Sequence, residues 1–239
     1  MINQLKILAI IPARSGSKRI PNKNVKIFCG KPLLVHSVEC AKRSKYIDRV
    51  VVSTDAQSVA DIAIQAGAEV PFLRPAEFST DEATDFVVFK HALEWFEKNE
   101  SYIPDIVVQL RPTSPLRTVE QVDEAIRLLS LNPAADSVRT VAEPEQSPYK
   151  MFSIGSDGTL KALIGLAGAQ ESFNLPQQKL PKVYKHVGYV DVMWRRTIME
   201  KNKMTGDNVV PLILDIAYSG INKPEEWTLY EYIASKKIL

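Results

Sequence analysis

Cysteine is almost missing from this 239-residue chain. Cys29 and Cys40 are the only two, no C-x-x-C pair occurs, and no histidine stands near them at ligand spacing. That argues against a disulfide framework or a structural zinc site and leaves both thiols reduced. An excess of one charge is missing too: 30 Lys and Arg face 28 Asp and Glu, a net of +2, so nucleic acid is not an expected partner. No apolar run approaches bilayer-spanning length and no cleavable signal precedes the first apolar stretch, which predicts a cytoplasmic protein without a membrane partner. Neither G-x-x-x-x-G-K-[ST] nor G-x-G-x-x-G is present, which removes two familiar ways of holding phosphate. His36, His91 and His186 show no metal-ligand spacing and are expected to be structural.

What is present is a globular composition, 45% hydrophobic and 24% charged, enough for one substantial core and a single domain over residues 1–239. Leu5 to Ile11 is a continuous aliphatic run, the pattern of a strand buried on both faces. It leads into Pro12-Ala13-Arg14-Ser15-Gly16-Ser17-Lys18-Arg19-Ile20-Pro21-Asn22-Lys23-Asn24, where cations, hydroxyls and one glycine gather where a parallel strand would end. Open α/β sheets bind ligands at that edge. Such a loop suits a nucleoside triphosphate held by side-chain cations for chemistry at its α-phosphate.

Strand and helix signals then alternate. Pro32 opens an amphipathic helix through Ser44; Arg49 to Thr54 is a strand; Val59, Ile62, Ala63 and Ala66 mark a helix that Gly67 closes. Glu69 to Leu73 reads as a short strand, Thr84 to Asn99 as a helix with Phe86, Phe89 and Phe96 in the core, and Asp105 to Leu110 as a buried strand. Thr118 and Gln121 form a capping box for the next helix. Ser137 to Val141, Gly188 to Trp194 and Val209 to Leu214 have strand character, and Pro224 to Lys237 a final helix. The whole is an α/β fold with a mostly parallel sheet flanked by helices. Residues 143–180 break the pattern: Pro, Gly and Gln abound, and Phe152 to Leu160 carries an Asp-Gly hairpin signal, so this segment is expected to be an inserted arm.

Four segments stand in one order and spacing: the first-strand loop, Val52-Ser53-Thr54-Asp55, Leu73-Arg74-Pro75-Ala76-Glu77-Phe78, and Leu110-Arg111-Pro112-Thr113-Ser114-Pro115-Leu116-Arg117. Together they resemble the acylneuraminate cytidylyltransferases, which make CMP-sialic acid and related CMP-nonulosonates. The resemblance implies a Rossmann-like domain with a protruding dimerisation arm. It also implies transfer of CMP from CTP to the anomeric hydroxyl of an acidic sugar, with release of pyrophosphate and help from Mg²⁺ or Mn²⁺. On it, Arg14, Lys18 and Lys23 are the catalytic phosphate-gripping positions, and Asn24, Arg74, Thr113 and Ser114 surround the nucleotide. Arg111 stands where related enzymes commonly carry Gln. Each has a plainer alternative: Ser53-Thr54-Asp55 as a helix cap, Arg74 as a surface ion-pair residue, Thr113 and Ser114 as turn residues.

The second half follows the family loosely. Gln177-Gln178-Lys179-Leu180-Pro181 and Lys185-His186-Val187-Gly188-Tyr189 occupy the sugar-binding segments, so Gln178, Lys179, Lys185 and Tyr189 are the sugar candidates. The family's metal-binding Asp-x-Asp corresponds to Gly220-Ile221-Asn222, and no two aspartates in the chain are separated by one residue. Asn222 and Asp215 are the metal candidates, with Asp191 a further acidic one. Two other readings stand beside transfer of CMP: a nucleotide-sugar-dependent glycosyltransferase, and a non-catalytic nucleotide-binding homologue.

Overall fold

The computed structural model describes residues 2–168, 171–216 and 218–236. Ala169 and Gln170 of the expected arm, and Lys237 at the expected helix end, lie outside the described residues.

The strands are β1 (Ile7–Pro12), β2 (Ile27–Phe28), β3 (Lys31–Pro32), β4 (Arg49–Ser53), β5 (Ile106–Gln109), β6 (Ser137–Ala142), β7 (Phe152–Ile154), β8 (Leu160–Ala162), β9 (Lys185–Trp194) and β10 (Val209–Ile213). The helices are α1 (Leu33–Arg43), α2 (Gln57–Gln65), α3 (Asp85–Glu100), α4 (Val119–Leu131), α5 (Arg195–Met199) and α6 (Pro224–Lys236). Six strands form one sheet in the order β10-β6-β9-β5-β1-β4. β1 pairs in parallel with β4 and β5, and β10 with β6, while β9 runs antiparallel between β5 and β6.

Period-two alternation splits the apolar strands between two cores. Ile7, Ala9 and Ile11 meet Leu34, Val38, Val59, Val122 and Ile126 from α1, α2 and α4. Leu8 and Ile10 face the other way, onto Val88, Phe89, Leu93 and Phe96 of α3. A third cluster joins Ile20 of the basic loop and Ile221 to Trp227, Tyr230 and Ile233 of α6, so the last helix anchors both ends of the future site. The Thr118–Gln121 capping box forms as expected.

Two expectations change. Glu69 to Leu73 is not a strand: Val51 bridges Glu69 and Thr54 bridges Leu73, but no ladder joins them, because Pro71 between the two has no N–H to donate. Tyr189 does not reach a ligand surface. It is fully buried and packs with its neighbour Val190 in the same core, because a bulge in the β6–β9 pairing between Arg139 and Val141 and the left-handed Gly188 (φ 69°) interrupt the strand's alternation.

The hairpin of β7 and β8 forms within residues 143–180, turning at Gly158 (φ 77°). Ile154, Leu160 and Leu163 on it are exposed. No helix among the described residues is long and apolar enough to cross a membrane.

Candidate active site

A cleft of about 540 Å³ opens at the C-terminal ends of β1 and β5, the edge where an open α/β sheet places its ligands. Six cations line it, Arg14, Lys18, Arg19, Lys23, Arg74 and Arg111, against two carboxylates, Asp81 and Asp85.

The basic loop is held in shape by its own backbone and by β4. Asn24 is buried, and its Nδ2 donates to the Arg14 carbonyl at 2.9 Å. Asp55, just past β4, accepts from the Ser15 N–H at 2.8 Å and the Ser15 hydroxyl at 2.9 Å. Burial pushes the Asp55 carboxyl up, but the two bonds from Ser15 outweigh it and leave it below its ordinary value. Asp55 therefore braces the loop; the cap of α2 is Ala56, whose N–H reaches Thr54 Oγ1 at 3.3 Å.

Lys23 is partly buried, where Lys18 and Arg19 are exposed. Its Nζ donates to the Ile221 carbonyl at 3.1 Å, and burial, together with Arg19 and Arg14, lowers its pKa. Arg74 is buried, not a surface ion-pair residue: Nε donates to Ser79 Oγ at 3.1 Å, and its buried Nη2 has no partner among the described residues. Burial lowers its pKa as well. Arg74 also lines the cleft, and a buried cation is stabilised by an anion brought beside it. Arg14 and Lys18 instead share Asp81, Arg14 at 2.7 Å.

Arg111 is fixed by two carboxylates, Nη1 on Asp191 and Nη2 on Asp85, both at 2.8 Å. Thr113 lines the cleft, and its carbonyl accepts from the Ile221 N–H at 2.8 Å. Ser114 does not line it: the side chain is buried and donates to the Gly188 carbonyl at 3.1 Å. Asn222 lines the cleft beside the loop.

The sugar and metal candidates fall elsewhere. Gln178 and Lys179 sit exposed on a one-turn 3-10 helix and are absent from the cleft wall. Lys185 is held by Glu145 at 2.6 Å. Asp215 is exposed and away from the wall. Asp191 is fully buried and enclosed by Arg111, Arg139 and His186; burial alone would raise its carboxyl, but these partners hold it well below the usual range. A carboxylate so neutralised is no metal ligand. Asp81 and Asp85 are committed to cations, and no group of three or more His, Cys, Asp or Glu that could hold a metal occurs among the described residues. The donor set does not build a protein-held metal site, since Mg²⁺ is ordinarily taken by one or two free carboxylates.

Sequence reasoning counted Arg19 among the charges of the loop, but passed over Asp81 and Asp85 as wall residues and Arg139 altogether. The available signal was Asp191 itself, a lone acid in the otherwise apolar run from Val187 to Trp194.

The pattern of the cytidylyltransferase family matches residues 8–153, which contain the basic loop, Arg74 and Arg111–Arg117. The chain belongs to the cytidylyltransferase family. It is thus a nucleotidyltransferase. It is 32% identical over 229 residues to the CMP-N,N'-diacetyllegionaminic acid synthase of Legionella pneumophila, covering 95% of each chain. It is 43% identical over 123 residues to the N-acylneuraminate cytidylyltransferase of Escherichia coli, covering 52% of this chain and 28% of that protein. Among solved structures, a CMP:2-keto-3-deoxy-manno-octonic acid synthetase complexed with CTP superposes with a TM-score of 0.71 at 17% identity, covering 97% and 99% of the two chains. That synthetase shares the fold.

Proposed function

We propose that this cytidylyltransferase transfers CMP from CTP to the anomeric hydroxyl of a nonulosonic acid and releases pyrophosphate. The observation that carries the reading is the cleft wall of six cations against two carboxylates, with Lys23 and Arg74 partly stripped of water. In the reaction, the sugar's hydroxyl oxygen forms a bond to the α-phosphorus and the bond from that phosphorus to the β-phosphate oxygen breaks. Pyrophosphate leaves with the electron pair, and the hydroxyl proton passes to solvent. Charge spreads over the phosphate oxygens in the transition state, so cations fixed beforehand stabilise it more than they stabilise the substrate. Arg14, Lys18, Arg19 and Lys23 hold the β- and γ-phosphates in this reading; Arg74 faces the α-phosphate; Asn24 keeps the loop's shape. Any Mg²⁺ or Mn²⁺ would come as the counter-ion of CTP and neutralise phosphate charge, and of the two metal candidates only Asn222 stands on the cleft wall. Family membership and a relative that the chain matches along 95% of its length favour cytosine and a nonulosonic acid.

We place the enzyme in the cytoplasm and as a homodimer joined by the 143–180 arm, whose exposed Phe152, Ile154, Leu160 and Leu163 lack a local core; a lone hairpin is marginal in water. Light scattering at micromolar concentration should show a dimer that deletion of the arm disrupts. A monomer unaffected by the deletion contradicts this part.

A screen of the four NTPs against acidic sugars, read as pyrophosphate release, tests the reaction. CTP should be used in preference to the others; a purine preference, or release of a nucleoside diphosphate, rejects it.

Asp81 gives a further expectation. Its carboxylate occupies Arg14 and Lys18 as an internal counter-ion, so triphosphate must displace it. Asp81→Asn should tighten CTP binding by roughly two- to fivefold, the scale of exposed ion pairs, measured by calorimetry. Weaker binding would show that Asp81 contributes to holding CTP.

A further inference from the structure

Among the described residues that line the cleft, Phe78 is the one aromatic side chain. It ends the one-turn 3-10 helix Ala76–Phe78. The Phe78 N–H donates to the Pro75 carbonyl at 3.1 Å and the Ser79 N–H to the Ala76 carbonyl at 2.9 Å, which closes the turn. The same turn is tied to the buried cation of the site: Arg74 Nε donates to Ser79 Oγ, and Ser79 Oγ to the Pro75 carbonyl, both at 3.1 Å. The Arg74 guanidinium thus lies against the residue that follows Phe78, so cation and ring share one stretch of cleft wall. The Ser79 carbonyl also accepts from Arg14 Nη1 at 3.5 Å, which links the turn to the basic loop.

Phe78 is half-buried. Its ring rests on His91, with centroids 5.4 Å apart and planes at 53°. His91 stands edge-on to Phe72 at 4.9 Å, and Phe72 meets Trp95 at 5.3 Å and Phe96 at 6.4 Å. A ladder of rings therefore runs from the cleft into the core under α3. Burial lowers the His91 pKa, and its buried Nδ1 has no partner among the described residues, so the imidazole is a neutral support. Ala83 and Val88 add apolar lining from the same stretch of chain.

We infer that Phe78 is the platform on which the base of the bound nucleotide stacks. The inference deepens the reading above and rests on it for the α-phosphate at Arg74. One ribose separates that phosphate from the base, and the ring beside Arg74 is the aromatic surface the wall offers there. A nonulosonic acid is covered with hydroxyls and a carboxylate and has no aromatic face, so of the two substrates the base is the one that fits a ring. Offset stacking also returns to cover the apolar area that Phe78 otherwise shows to water. Every base has a π-face, so the platform contributes affinity and leaves the choice of base to other contacts.

The test compares calorimetric Kd values for the four NTPs with that for inorganic tripolyphosphate, which carries phosphates without a base. Phe78→Leu keeps an apolar side chain against His91 and removes the ring. It should weaken CTP about tenfold, within the range of one base–aromatic stack, and leave tripolyphosphate within about twofold. Phe78→Tyr keeps the ring and should bind both within about twofold of wild type. A merely structural ring would cost both ligands alike. Equal losses for CTP and tripolyphosphate, no loss for CTP, or a loss in Phe78→Tyr equal to that in Phe78→Leu would overturn the inference. If wild type binds another NTP more tightly than CTP, the proposed reaction fails, and the same comparison made with that NTP decides the inference separately. A wild type that binds no NTP at all overturns both.

Discussion

Lys23→Ala should lower kcat/KM for CTP about ten- to a hundredfold with no loss of fold, because one charge-assisted contact contributes about 1.5–3 kcal/mol. Lys23 is the loop cation whose surroundings are least favourable without a ligand. Burial, Arg19 and Arg14 all lower its pKa, opposed by Glu226, and a bound polyphosphate would reverse that balance by favouring the ammonium. The sign of the pH dependence follows. The free enzyme loses the Lys23 proton at a pH below the ordinary lysine value of 10.5, so affinity for CTP should fall as pH rises through that region. The alanine variant should lack this step. Calorimetry across the alkaline range checks both, and a variant with wild-type CTP kinetics would remove Lys23 from the site.

The second large effect is expected at Arg117, which touches no substrate. It is buried without a carboxylate partner, and burial pulls its pKa down to about 10. Its guanidinium is satisfied by neutral acceptors: the Tyr189 carbonyl, Ser37 Oγ at 3.0 Å and the Arg111 carbonyl at 2.6 Å. One side chain thereby ties β9, α1 and the turn after β5 together, and the turn carries Arg111 and Thr113 into the cleft. Arg117→Met removes the guanidinium's bond to the buried Tyr189 carbonyl, at about 1–3 kcal/mol, while the Arg111 carbonyl keeps the Ser114 N–H at 3.2 Å and the Ser37 hydroxyl at 3.3 Å. A net loss of about 2 kcal/mol should lower the unfolding midpoint by about 4–8 °C in a chain of this size. A shift under about 2 °C would mean that water or a rearranged turn replaces the guanidinium.

The phosphate side of the site was legible in the sequence because it is local. The aliphatic run of β1, the clustered cations behind it and Asn24 all act within a short stretch, and the buried-strand pattern alone puts that loop at the sheet edge. The 152–162 hairpin was legible for the same reason, with Asp157-Gly158 specifying the turn. The sugar side depends on pairings that no spacing reveals. Arg111 meets Asp85 26 residues away and Asp191 80 residues away, and Lys185 meets Glu145 40 residues away. An apolar run also carries no sign of strand direction, so the antiparallel insertion of β9 between β5 and β6, which brings Asp191 to Arg139, could not be read from Gly188 to Trp194. Tyr189 and Ser114 were read as ligand contacts from their place in the family's segments. Tyr189 turns inward because a bulge and a glycine at positive φ redirect β9, and Ser114 turns inward to donate to the Gly188 carbonyl.

The central claim is cleavage between the α- and β-phosphates of CTP with capture of CMP by an acidic sugar. Phosphorus-31 NMR of the enzyme with CTP and N,N'-diacetyllegionaminic acid tests it most directly. The account predicts equal amounts of pyrophosphate and of a single phosphodiester joining CMP to the sugar's anomeric carbon. Appearance of CDP, or unchanged CTP in the presence of this and other nonulosonic acids, would contradict it.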